Sequence, residues 1–131
     1  MKPQWLERSL IVGPYFTLCL SEDAFRKVAA KLQWKDPGPG PWIRNPQADA
    51  TAHHAFNEDK EPCTIVCLQG AEGRDPISVA GLLVHEAVHI WQRWCDDKGE
   101  TNPGDETEAY AIQWLSQQLM WEFVRQTGGA K

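Results

Sequence analysis

Two of the chain's four histidines stand in the run His85-Glu86-Ala87-Val88-His89. On a helix, residues four apart sit about 40° apart in azimuth and about one turn apart along the axis. Both imidazoles can therefore reach one ion, at the ~2.0–2.1 Å of a zinc–nitrogen bond. Glu86, beside the first histidine, can hold a water against the open side of that ion. Two histidines and a glutamate in the order H-E-x-x-H are the residue set of metal-assisted hydrolysis, with the carboxylate as general base. The expectation is Zn²⁺ held by His85 and His89, with Glu86 handling the proton.

The helix that must present these residues is legible. Asp75-Pro76 pairs an N-cap with a proline at the first helical position. Ile77, Ala80, Leu83, Val84, Ala87, Val88, Trp91 and Trp94 then recur at helical spacing. Lys98 suits the last turn and Gly99 a stop. Asn102-Pro103-Gly104-Asp105 breaks the chain, and a last helix is expected over about 105–127, ended by Gly128 and Gly129. Upstream, residues 15–20 read as a strand. Ser21 caps a helix from 22 to about 34, on Ala24, Phe25, Val28, Ala29 and Leu32. Residues 36–41, three of them proline, form a loop. Residues 51–57 and 63–69 flank the polar segment 58–62 as a hairpin, and Pro62 favours a sheet edge for the second strand. Near the N-terminus Pro3, Gly13 and Pro14 break any long element. The order strand, helix, hairpin, helix, helix predicts an α+β fold. A small antiparallel or mixed sheet packs on the active-site helix and on a second, ligand-bearing helix.

A catalytic zinc usually takes three protein ligands and a water. A metzincin would have Gly at 92 and His at 95, where this chain has Gln92 and Cys95. On a continuing helix Cys95 lies about 240° from His89 and points away from the metal. The glutamates opening the last helix are the better source. With Asp105 as N-cap, Glu108 closes a capping box, which places Glu106 ahead of Glu108 as the free carboxylate. Tyr110, four residues after Glu106, shares its face and could hydrogen-bond a ligand histidine or steady a developing oxyanion.

The run 85–89 followed by Glu106-Thr107-Glu108-Ala109-Tyr110 resembles the gluzincin branch of the zinc metallopeptidases. The resemblance implies Glu106 as third zinc ligand, in a Glu-x-x-x-Asp/Asn segment where this chain carries Tyr110 in the last place. It implies a zincin-like fold, a peptide or protein substrate, and a strand that pairs with extended substrate; strand 63–69 is the expected partner. The compact form is similar to small zincin-like proteins of bacteria and their phages. The alternative is a metal-stabilised, non-catalytic binding or accessory module with a zincin core, since little chain remains to wall a cleft.

A chain of 131 residues with seven tryptophans and 42% hydrophobic residues is expected to form one domain, 1–131, with a sizeable core. The formal net charge of -5 argues against nucleic acid and anionic membrane as partners. No run approaches the length of a membrane span, and Glu7 and Arg8 interrupt anything resembling a signal peptide. Cys19, Cys63, Cys67 and Cys95 read as buried reduced thiols in a cytoplasmic protein. His53 and His54 point to opposite faces of their strand, and one of them could face the metal cleft. Gln92 lies near the face bearing His89 and could line the site, but reads first as a solvated helix position, and Asp96-Asp97 as a solvated helix end. Trp91, Trp94, Trp114 and Trp121 read as the packing seam between the last two helices.

Overall fold

A computed structural model describes residues 1–6, 14–34, 38–45 and 47–128. The sequence readings at Glu7, Arg8, Gly13, Asp36, Pro37 and Gly129 lie outside these residues. The elements follow in the order β1 (Tyr15–Cys19), α1 (Glu22–Ala29), β2 (Ala50–Phe56), β3 (Pro62–Leu68), α2 (Pro76–Lys98) and α3 (Asp105–Thr127). This is the α+β arrangement expected, with a three-stranded mixed sheet and three helices.

Strand order is β1-β3-β2, with β1 parallel and β2 antiparallel to β3. The hairpin is present, but its second strand is the centre of the sheet rather than an edge. Pro62 is tolerated because it is the first residue of β3, where a missing N–H costs the ladder least. The expectation that strand 63–69 pairs with extended substrate is thereby corrected. Both edges of β3 are already occupied, by β1 and β2. β2 is the outer strand of the hairpin and lies against α2.

Both faces of the sheet are covered, which is why Cys63–Leu68 is buried without alternation. Phe16, Leu18, Val66 and Leu68 pack on α2 and α3 through Leu83, Ala87, Ile90, Leu115 and Leu119. Cys19, Ile65 and Cys67 face the other way, toward Phe25 and Ala29 of α1 and toward Ile43. All four cysteines are buried and stand as thiols.

Four helix ends compare differently with expectation. Asp75 caps α2 by accepting from the Ser78 N–H at 3.0 Å, and Gly99 ends it in the left-handed region at φ 69°. α1 stops at Ala29, five residues short of Trp34. Gln33 leaves the helix to bridge Phe56 of β2, and the Trp34 indole donates to the Ala29 carbonyl at 3.1 Å. α3 opens at Asp105 as expected, but Gly104 is the cap and no side chain closes it, so the capping box at Glu108 does not form.

At the far end of α3, the buried carboxylate of Glu122 accepts from Arg125 and Gln126, both at 2.7 Å, and from Gln4. Burial pushes its pKa up, but these hydrogen bonds and the Arg125 charge outweigh it and hold the group below its ordinary value. Glu122 ties the N-terminal segment to α3 and takes no part in the site described next.

Candidate metal centre

His85, Glu86 and His89 lie on the middle turns of α2, where Leu83, Ala87 and Ile90 bury one face and hold the helix against the sheet. The histidines fall on the rim of that face and Glu86 falls beneath it. The Nε2 atoms of His85 and His89 are 3.3 Å apart, with the rings inclined at 73°. Two zinc–nitrogen bonds of ~2.0–2.1 Å opened at a tetrahedral angle of about 109° set their nitrogens ~3.3–3.4 Å apart. The pair is already at that separation.

Ligand atoms of His85, Glu86 and His89 lie within 4.8 Å of one another, the one such group of His, Cys, Asp or Glu among the described residues. Glu86 is only 3% exposed, and its Oε2 is buried without a hydrogen-bond partner. A desolvated, unsatisfied carboxylate oxygen is costly unless a cation or a bound water answers it. Burial raises the Glu86 pKa, while the neighbouring charges of His89 and His85 oppose the rise. A carboxyl group shifted upward in this way holds a proton more readily than an exposed one.

Gln92 has a function in this centre. With Nδ1 protonated, His89 donates to Gln92 Oε1 at 3.2 Å, which orients the ring and leaves Nε2 with its lone pair. Gln92 is solvent-exposed, as expected, and its amide oxygen meets the His89 ring on that exposed side. Tyr110 is 62% exposed and makes no hydrogen bond to either histidine. The signal for Gln92 was present in its spacing, three residues after His89.

Glu106 stands exposed in the first turn of α3, outside the compact group. Glu108 is occupied, as expected, but by a different partner: the Trp91 indole donates to its Oε2 at 2.8 Å. Cys95 is buried and does not join the group.

Of the two strand histidines, His54 is on the metal side. Its Nδ1 meets Thr64 Oγ1 at 2.9 Å, and His89 is within electrostatic reach. Burial chiefly, then the charge of Arg93, lowers its pKa to about 4. His53 faces the other way, stacked on Phe25 with ring centroids 4.5 Å apart, and its Nε2 meets the Trp42 carbonyl at 2.7 Å. Asp97 is no bare helix end, since it pairs with Arg93 at 3.3 Å. Of the four tryptophans, Trp91 is buried and stacked on Trp94, and Trp114 meets Phe16 edge-on, whereas Trp121 is 62% exposed and lies outside the seam.

No helix among the described residues is long and apolar enough to cross a membrane. No protein-family model, curated protein or solved structure matches the chain.

Proposed function

We propose that the chain is a zinc-dependent hydrolase with a zincin-like core, most closely a metallopeptidase of gluzincin type acting on a peptide or protein. The observation that carries this reading is the 3.3 Å separation of the His85 and His89 Nε2 atoms. The buried, unpartnered Oε2 of Glu86 beside them supports it. His85 and His89 would hold the ion, and Glu106 would complete the set from the exposed first turn of α3. Zinc held there supplies Lewis acidity to a water and to the scissile carbonyl. Glu86 takes the proton released on attack and returns it to the leaving amine. Gln92 keeps the His89 ring in its ligating orientation.

The test is metal content together with peptidase activity for the wild type and Glu86→Gln. Near-stoichiometric zinc in both proteins, with turnover lowered by about 10²–10⁴-fold in the variant, is the expected result. Wild-type protein that takes up no divalent metal from zinc-containing buffer overturns the reading.

A second reading is a metal-stabilised module without turnover. Gln33 and Arg44 occupy part of the β2 edge that an extended substrate would need, and this favours it. In that case zinc stabilises the fold and Glu86→Gln leaves function unchanged.

A further inference from the structure

Backbone N–H and C=O groups of alternate strand residues point to the same edge. On β2 the outward set is marked by Phe56, whose carbonyl accepts from the Gln33 N–H at 2.8 Å and whose N–H donates to the Gln33 carbonyl at 3.4 Å. His54 and Ala52 share that parity. The Ala52 carbonyl accepts from the Arg44 guanidinium at 3.4 Å. His54 is therefore an open position between two closed ones, and among the described residues nothing bonds its outward backbone groups. An internal stretch of extended peptide needs several such positions in succession. This edge offers one.

What closes the Ala52 side is a cation. Arg44 is exposed and, among the described residues, forms no ion pair with a carboxylate. Its own N–H donates to Thr51 Oγ1 at 3.2 Å, which fixes the base of the side chain. A cavity of about 510 Å³ opens beside it, between β2 and the C-terminal half of α2. Trp34 and Phe56 give this cavity apolar walls. Arg93, which also lines it, is answered by Asp97 and by the Ala55 carbonyl. Arg44 is thus the lining cation without a paired carboxylate, and Asp96, on the α2 side of the same cavity, is the lining carboxylate without a paired cation among the described residues. His54 joins the cavity to the metal pair, being within electrostatic reach of His89.

We propose that this edge receives the carboxy-terminal end of a peptide. The terminal residue pairs through its backbone with His54 and its side chain enters the cavity between Trp34 and Phe56. Its carboxylate meets the Arg44 guanidinium. The proposal names the substrate class for the hydrolase reading, and rests on that reading for turnover but not for binding.

The test is equilibrium binding to zinc-loaded protein of two probes: N-acetyl-trialanyl-phenylalanine as the free acid and as the carboxamide. Glu86→Gln is used as the background, so that turnover does not consume the probe, and Trp34 in the cavity wall supplies a fluorescence signal. The free acid should bind about tenfold or more tighter than the amide, as expected for charge-assisted hydrogen bonds to a guanidinium. Adding Arg44→Gln should remove the difference by weakening the acid alone, and Arg44→Lys should restore part of it. Equal affinity for the two probes, binding of neither, or a preference that survives Arg44→Gln overturns the proposal. Hydrolysis of the same probes by the protein with Glu86 intact is scored separately. Its absence counts against the hydrolase and leaves the binding result standing.

Discussion

The Trp91 indole N–H donates to Glu108 Oε2 at 2.8 Å, joining α2 to α3 two residues beyond His89. Trp91 is 2% exposed, so water cannot replace a lost acceptor. Glu108→Ala should cost about 1–3 kcal/mol, while Glu108→Gln, which keeps a carbonyl at the same place, should cost less than about 1 kcal/mol. Urea midpoints at unchanged slope give both values. A Glu108→Ala protein as stable as wild type would mean that the bond is worth nothing to the fold.

The same bond fixes the first turn of α3 beside the histidine-bearing part of α2, and separates the roles of its two glutamates. Glu108 is engaged in packing, whereas Glu106 is exposed and is the carboxylate proposed as third ligand. Glu106→Ala should weaken zinc binding by more than about a hundredfold, since even partners behind the ligands are worth about 10–100-fold. Glu108→Ala should change affinity by less than about threefold once stability is allowed for. Competition against a chromophoric chelator measures both. Equal affinities for wild type and Glu106→Ala would leave Glu86 as the carboxylate grouped with the histidines among the described residues.

Zinc held by the histidine pair in the folded chain alone would raise stability by mass action. Free zinc at a hundred times its dissociation constant contributes about 2.7 kcal/mol. For a chain of this size that is a rise in Tm of about 5–12 °C. Chelation should reverse it, and His85→Ala or His89→Ala should abolish it. A Tm indifferent to zinc in the wild type would oppose any metal reading of the pair. Gln92→Ala should retain part of the shift, because it frees the His89 ring without removing a ligand.

The helices of the site were legible because their signals are local. Asp75, Pro76 and Gly99 mark α2 by backbone chemistry that needs no tertiary partner, and a four-residue spacing puts His85 and His89 together on any helix. What sequence missed was set by neighbours distant in the chain. Pro62 suggested an edge, but the parallel pairing of β1 with β3 placed that strand in the centre. Glu108 is occupied, but by an indole seventeen residues away and not by its own helix cap. Tyr110 was placed by helical spacing, which says which residues share a face but not which face is covered, and it stands 62% exposed. The closure of β2 by Gln33 and Arg44 depends on where a proline-rich loop lies, and loop paths leave no periodic trace.

Acid should expose the cost of burying His54. Burial first, then Arg93, Arg44, His89 and His53, depress its pKa from 6.5 to about 4. Between these values the unfolded chain binds the proton and the folded one resists it, so stability rises with pH across the window. The contribution is complete above about pH 6.5 and is lost as pH falls through about 4. Its size is on the order of 2 kcal/mol, discounted for partial solvent access. His53 is shifted the same way, chiefly by burial, and adds to the slope. Glu86, raised by burial, acts with opposite sign, and Glu122 matters only below its ordinary pKa near 4.5. Comparing wild type with His54→Gln in metal-free buffer cancels those terms, because both proteins carry them. The two unfolding curves should run parallel above pH 7 and separate below 6.5, with the wild type losing more. Parallel curves down to pH 4 would mean that His54 titrates normally in the folded chain, and that the space between β2 and α2 is wetter than its burial implies.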